Sequence, residues 1–370
     1  MKRNITRILF CIFALASPAL AASVDLPTRG LENRIDFWKK VFTQYGENDN
    51  IIHDRFHVNL IYDVAGDTEV ASRVKAVRDG ISEIRSKLNA PETFSPTAQR
   101  IHTAITTGGL TVSPSLLQEL AANIHTQRGI KERFRGGVIR SGRYVDHFKE
   151  IFRAQGLPEQ LALLPLVESS FANARSKVGA AGIWQFMRST GRLYMRVNST
   201  VDERLDPIKA TKAAARLLSD NYRALGVWPL AITAYNHGRA GMLRAQDQHG
   251  DDITKIISNY DGRTFGYASM NFYTEFVAAV EVYENYLQYF GELVLEKPNS
   301  PAPGSMAAAK APSPRTKAAA APVKVDQYTV RRGDTLWEIA QRFGTTIRDL
   351  MEKNDLQKPA IFVGQMLLVK

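Results

Sequence analysis

Residues 157–187 read LPEQLALLPLVESSFANARSKVGAAGIWQFM, and the reading of the whole chain turns on one carboxylate in this stretch, Glu168. Leu164 lies four residues before it, Leu161 seven before, and Phe171 three after. On a helix these positions share one face, so the spacing predicts a carboxyl set into an apolar stripe. A charge placed there is costly unless it is paired or neutralised, and desolvation by an apolar wall raises a carboxyl pKa. That is the condition for an acid that still holds its proton near neutral pH. The plainer alternative is a helix-end glutamate that escapes to solvent, and the residues that follow decide between the two.

From Ser169 through Val201 there is no Asp or Glu, while five Arg and Lys occur. Gly179 and Gly182 flank Ala180-Ala181 and lead into Ile183-Trp184-Gln185-Phe186-Met187. Glycine permits close backbone approach or a positive φ, Trp offers a flat platform for a sugar face, and Gln can both donate and accept. Farther on, the apolar segment Trp228 to Thr233 ends in Ala234-Tyr235-Asn236-His237-Gly238, which by itself reads as a buried helix closed by a glycine cap. Taken in order, Glu168-Ser169, Gly182 to Met187 and Ala234-Tyr235-Asn236 resemble the motif series of the family 1 lytic transglycosylases, lysozyme-like enzymes that cut peptidoglycan. The resemblance runs from about Arg140 to Gly291. It implies a mainly α, goose-lysozyme-like catalytic domain with a glycan cleft, and Glu168 as the one catalytic acid. It further implies that Ser169 and Asn236 hold substrate, that Gln185, Met187 and Tyr235 line the cleft, and that Tyr273, on a helix opening near Ser269, orients Glu168. No metal and no organic cofactor are implied.

Glycoside cleavage commonly uses two carboxylates. The acid-free stretch offers no near partner for Glu168, leaving Asp202, Glu203 and Asp206 as the acids that could fold close. The resemblance implies a one-acid solution, in which the substrate's own N-acetyl group and C6 hydroxyl complete the chemistry. Two alternatives stay open: a lysozyme- or chitinase-like hydrolase on the same scaffold, and a non-catalytic wall-binding scaffold that keeps the groove.

A chain of 370 residues has room for two or three domains. Its formal net charge of +11 suits a polyanionic cell wall, a membrane surface or nucleic acid; no helix-turn-helix, zinc-finger or base-stacking signature supports the last. Lys2, Arg3 and Arg7 precede the apolar run Ile8 to Leu15, and Ala19-Leu20-Ala21 supplies a small-x-small cleavage pattern. Residues 1–21 therefore read as a signal peptide, and the mature chain as an exported, periplasmic, soluble protein. The single cysteine, Cys11, lies inside that apolar run, so cleavage after Ala21 leaves no disulfide. The expected partners are peptidoglycan glycan strands, with other cell-wall enzymes as further candidates; a monomer is the expected state.

Residues 22–139 read as a helical accessory region. Val70, Val74, Val77, Ile81, Ile84 and Leu88 recur at helical spacing, and Ser113-Pro114 makes a cap and first turn. His53-Asp54-Arg55-Phe56-His57 spaces two histidines as zinc proteases do, but with Asp for Glu and no third ligand, and reads as a solvated helix face. Residues 140–296 form the enzyme-like domain, where Pro165 is expected to bend the chain just before Glu168. Residues 297–324, rich in Pro, Ala, Ser and Lys with no acid, read as an extended tether. Residues 325–370 pattern as two short strands bracketing two short helices, and resemble the LysM domain. That resemblance implies a shallow glycan groove with Asp334, Thr335 and Leu336 on one side and Leu356 and Ile361 opposite.

Overall fold

Prolines and small polar residues set where the helices begin. Ser95 and Ser113 accept hydrogen bonds from the N–H groups of Ala98 and Leu116, each with a proline in the first turn. Asp206 accepts from Ile208 and Lys209 ahead of the longest helix, again with proline following, and Asp252 accepts from Thr254. Each such cap satisfies an N–H that the helix itself leaves unpaired.

The computed structural model describes residues 26–298, 327–330, 336–343, 345, 347–356, 361 and 364–369. Residues 1–25 and 299–326 lie outside them, and with them the stretches read as signal peptide and tether. In order, the first part of the chain forms α1 (Glu32–Thr43), β1 (Asn50–Asp54), β2 (Ile61–Ala65), α2 (Val70–Ser86), α3 (Pro96–Thr107), α4 (Pro114–Ala122) and β3 (Ile124–Arg128). Next come α5 (Lys131–Ser141), α6 (Val145–Ala154), α7 (Pro165–Glu168), α8 (Arg188–Tyr194), α9 (Pro207–Leu225) and α10 (Trp228–His237). They are followed by α11 (Arg239–His249), α12 (Ile253–Asn259), α13 (Tyr267–Glu284) and α14 (Tyr286–Phe290). The chain is mainly helical, as its periodicity predicts.

The amino-terminal region is not purely helical. β1 is the centre of an antiparallel three-stranded sheet in the order β2-β1-β3. All five residues of β1 are buried, so the strand lacks the apolar–polar alternation by which a half-exposed strand announces itself. The same strand corrects the solvated-helix reading of residues 53–57. His53 is a fully buried strand residue, its Nδ1 lies 2.8 Å from the Asp54 carbonyl, and its Nε2 lies 3.2 Å from the Tyr267 hydroxyl. Asp54 turns the chain by accepting from the Phe56 and His57 N–H groups, and His57 is exposed. The two histidines therefore do not share a helix face.

β1 also divides two apolar cores. Ile51 belongs to a large cluster that runs from Leu31 on through Phe42, Phe134, Trp184 and Ile232 to Val282. Ile52, on the opposite face, belongs to a smaller cluster with Ile81 and Ile84 of α2, Ile101 and Ile105 of α3, and Leu117 and Leu120 of α4. Helix α1 thus lies inside the same core as the enzyme-like segment. Phe42 stacks on Phe134 of α5 with ring centroids 4.4 Å apart. Tyr273 of α13 donates its hydroxyl to the Pro27 carbonyl at 3.1 Å.

The carboxy-terminal residues make a separate unit. Strands β4 (Gln327–Thr329) and β5 (Met366–Leu368) pair antiparallel and bracket α15 (Leu336–Phe343) and α16 (Ile347–Lys353), the βααβ order expected. Its small core contains Tyr328, Ile339, Ala340, Leu350 and Leu367.

Phe42→Ala tests whether α1 is integral to the enzyme core. Loss of a fully buried aromatic is expected to cost ~3–5 kcal/mol, read by chemical denaturation; a loss below about 1 kcal/mol, the range of surface substitutions, would show α1 to be a dispensable wrap.

Candidate active site

Glu168 ends a single α turn. The preceding residues Glu159–Leu163 form a tighter 3-10 turn, and α7 covers only Pro165–Glu168. Pro165 explains the break, since its ring forbids a continuous helix through this point. The expected apolar setting nevertheless forms: Leu161, Leu164 and Phe171 are all buried, and Glu168 itself is half-buried.

After Glu168 the backbone enters a conformation that side chains disfavour. Ser170 and Phe171 have φ of 50° and 57°, left-handed values that cost non-glycine residues of order 1 kcal/mol or more each. Surrounding contacts hold them there. The Arg140 Nε–H donates to the Ser170 carbonyl at 2.9 Å, and Phe171 packs in the aromatic group of Tyr144 and Phe148. Gln185, in the second motif, is a third such residue at φ 47°.

The second motif is a knot of backbone bonds rather than an open loop. Ala181 and Phe186 exchange both N–H···O=C bonds at 3.1 Å. Gly182, at φ +84°, leaves no room for a side chain, because a Cβ there would sit 1.8 Å from the Arg204 carbonyl oxygen. Gln185 donates its Nε2 to the carbonyls of Gly182 at 2.7 Å and Ala174 at 3.2 Å. Met187, at the end of the knot, is exposed. Trp184 is not a sugar platform: it is fully buried, stacks on Phe152 and donates its indole N–H to Thr211 at 2.8 Å.

Two bonds join the motifs, and a third ties the last of them to α13. Ser169 donates its hydroxyl to the Ile183 carbonyl at 2.6 Å, tying the Glu168 turn to the knot. Tyr235 of α10 donates to the Trp184 carbonyl at 2.8 Å. Asn236 accepts through Oδ1 from the Ser269 hydroxyl of α13 at 2.8 Å and is otherwise exposed. The structure therefore brings Glu168, Ser169, Gln185, Tyr235 and Asn236 together, with the Ser169 hydroxyl engaged in holding backbone. Tyr273 lies buried on α13, which packs against α7.

The three acids considered as partners are engaged elsewhere. Asp202 pairs with Arg175 and Arg204 at 2.8 Å, Glu203 with Arg196 at 2.8 Å and Lys209 at 2.9 Å, and Asp206 caps α9. The acid within electrostatic reach of Glu168 is Glu275 of α13, also half-buried. Burial pushes the Glu168 carboxyl up to about 8. Glu275 is also pushed up to about 8, by burial first and then by the charge of Glu168, with Arg133 pulling the other way. Burial and, after it, the Glu168 charge drive the Tyr235 hydroxyl well above its usual range. Sequence reasoning passed over Glu275, although a signal was present. It is the only charged residue between Arg263 and Glu281, within a run of aromatic and small side chains.

In the carboxy-terminal unit, Leu336 is buried in the core and Leu356 and Ile361 pack half-buried against it. Asp334 and Thr335 lie outside the described residues.

Two segments of the chain match known protein families. Residues 148–258 match the model of the Transglycosylase SLT domain and residues 328–370 that of the LysM domain, so the chain carries one of each. It is homologous to the membrane-bound lytic murein transglycosylase D of Escherichia coli K12, with 35% identity over 111 residues, which are 29% of this chain and 25% of the relative. It also resembles the cell wall-binding protein YocH of Bacillus subtilis 168, with 50% identity over 44 residues, 12% of this chain and 15% of that one. The chain thus spans about a quarter of the E. coli relative's length. Six expected site residues, Glu168, Ser169, Gln185, Met187, Tyr235 and Asn236, fall inside the SLT match, whereas Tyr273 and Glu275 lie beyond it.

The raised carboxyl has a stability signature. Native Glu168 keeps its proton up to about pH 8, while the unfolded chain releases it in the ordinary carboxylate range. Folding therefore grows costlier as pH rises through that window. Glu168→Gln, with no proton to lose, is expected to raise the melting temperature relative to the parent more at pH 8 than at pH 4.5; an equal difference at both pH values would show that Glu168 titrates normally.

Proposed function

We propose that the protein is an exported peptidoglycan lytic transglycosylase that cleaves the β-1,4 bond between N-acetylmuramic acid and N-acetylglucosamine and leaves 1,6-anhydro-N-acetylmuramic acid ends. The observation that carries this reading is the Glu168 carboxyl, lifted to about 8 by burial on a strained turn bonded to the second motif, which in turn accepts a bond from Tyr235 of the third. With that pKa, about nine molecules in ten hold the proton at pH 7, as a general acid must.

In the proposed reaction Glu168 gives its proton to the glycosidic oxygen as the C1–O bond breaks. The muramyl N-acetyl oxygen attacks C1 from within the substrate and forms an oxazolinium-like intermediate. Glu168, now a carboxylate, takes the proton of the C6 hydroxyl; O6 then bonds to C1 and releases the acetamido oxygen. The glutamate ends as it began, and no water enters. Gln185, Met187, Tyr235 and Asn236 line the substrate side, Ser169 maintains the turn through its bond to Ile183, and Tyr273 orients Glu168 from α13.

A two-carboxylate hydrolase is the competing reading that a specific residue favours, because Glu275 could serve as base for a water. Such a base must be ionised in the resting enzyme. Glu275 is raised as far as Glu168 is, which supports the one-acid reaction. Residues 325–370, as a LysM glycan binder on the 297–324 tether, would raise the effective concentration of wall glycan at the cleft without new catalytic contacts, with Asp334, Thr335, Leu356 and Ile361 at its groove.

Mass spectrometry of digested sacculi tests the reaction. The parent should release fragments lighter by one water than hydrolytic products, and Glu168→Gln should lower the rate by ~10²-fold or more. Reducing-end products would identify a hydrolase, and a fully active Glu168→Gln would remove the acid from the mechanism. The rate should fall as pH rises through about 8, where Glu168 loses its proton. Deleting 325–370 should abolish retention on insoluble peptidoglycan while sparing cleavage of short soluble glycans; unchanged retention would sink the LysM role.

A further inference from the structure

The proposed reaction makes no use of a cationic cavity in the amino-terminal part of the fold. The two cores that β1 separates diverge at the turn between β1 and β2. A cavity of about 530 Å³ opens there, between α1 and the carboxy-terminal end of α3. None of its lining residues belongs to the three motifs around Glu168, and none is acidic. Arg34 and Lys40 enter from α1 and His57 from the turn, while Phe56, Leu60 and Leu110 supply apolar wall.

Arg34 is the informative member. Its Nη1 donates to the Asn271 Oδ1 at 2.9 Å and its Nη2 to the Phe56 carbonyl at 2.8 Å. Both acceptors are neutral, and a guanidinium has further N–H donors to give. Asp54 is the acid whose charge reaches Arg34, but its Oδ1 accepts from the Phe56 and His57 N–H groups. No carboxylate lies within ion-pair distance of Arg34 among the described residues. Lys39 takes Asp36 and Glu281, whereas the neighbouring Lys40 has no ion pair among the described residues. Holding a half-buried cation without an anion is costly, and an anion entering the cavity offsets that cost. At the end of α3, the carbonyls of Ala104, Ile105 and Thr106 are taken by the N–H groups of Gly108, Leu110 and Gly109. Size then separates an organic anion from an inorganic one. A simple ion would leave most of the space empty, whereas about 300–1,000 Å³ is the range of small-molecule sites.

We propose that this cavity is a second binding site, for the carboxylate end of a short peptide. The carboxylate lies between Arg34 and Lys40, and a small side chain rests on Phe56, Leu60 and Leu110. The peptide stems of peptidoglycan present such ends. Naming them as the occupant rests on the function proposed above; the anion site does not. Recognition of the wall is then divided, with Glu168 addressing the glycan and α1 addressing the peptide.

Isothermal titration calorimetry of the full chain with N-acetyl-D-alanyl-D-alanine tests this, and because that probe has no glycosidic bond the result is independent of the cleavage chemistry. The peptide should bind one to one, and its carboxy-terminal amide at least ~10-fold more weakly, the scale of one charge-assisted hydrogen bond. Lys40→Glu should weaken the peptide by at least as much. Thr107→Asp, which puts an anion into the cavity from the α3 side, should act alike, so the test survives if one variant fails to fold. Glu168→Gln should bind as the parent does. No binding up to the solubility of the peptide, equal binding of the amide, or parent-like binding by a folded Lys40→Glu or Thr107→Asp would overturn the site. Loss of binding in Glu168→Gln would place the peptide in the glycan cleft instead, and overturn it too. Inorganic phosphate binding as tightly as the peptide would refute the peptide assignment, and the L,L peptide binding as tightly as the D,D form would refute the wall as its source.

Discussion

The hydrogen bond from the Ser169 hydroxyl to the Ile183 carbonyl, 2.6 Å long and closed off from solvent, is the join on which the site depends. On one side of it is the turn that carries Glu168; on the other is the Gly182 knot. Neither is stable alone. The turn has two left-handed non-glycine residues and the knot a third, and such residues persist only where the surroundings over-determine them. The bond lets each brace the other, directly behind the half-buried Glu168. A buried hydroxyl left unpaired would cost about 1–3 kcal/mol, so the turn and the knot are stable only in register.

The amino-terminal residues are the second brace. Because Ile51 and Ile52 point to opposite faces of β1 and into different cores, the strand is a shared wall, and the α1 side of it cannot be removed without opening the core beneath α13. The Pro27 carbonyl taking the Tyr273 hydroxyl, and the His53 ring against the Tyr267 hydroxyl, secure the same helix from the amino-terminal side. α13 carries Glu275 and presses on α7, so the accessory region bears on the geometry of the cleft without contributing a residue to its motifs.

Local rules made much of this legible. The α9 boundaries follow from Asp206-Pro207 and Gly226, the end of α10 from Gly238, and the apolar setting of Glu168 from the spacing of Leu161, Leu164 and Phe171. The failures share a cause, which is that long-range packing reassigns roles that composition suggests. A five-residue strand buried on both faces shows no alternation. Trp184 looked like a ligand platform because tryptophan is amphipathic, but its indole N–H found Thr211, 27 residues away. Glu275 was overlooked because it sits far along the chain from the motif it faces, although the criterion that singled out Glu168, a lone carboxyl in an apolar helix, applies to it equally.

The distribution of cations explains why the acid survives as an acid. Two arginines of the acid-free stretch and two cations just beyond it, Arg175, Arg196, Arg204 and Lys209, are paired with Asp202 and Glu203. A cation reaching Glu168 at 4 Å would interact by ~4 kcal/mol at an effective dielectric of ~20, enough to return its carboxyl to the ordinary range and leave the resting enzyme without a proton to give. Asp202 and Glu203 engage these side chains in ion pairs, and burial is the cause of the raised Glu168 carboxyl. Arg133 acts on Glu275, whereas burial alone accounts for the rise at Glu168.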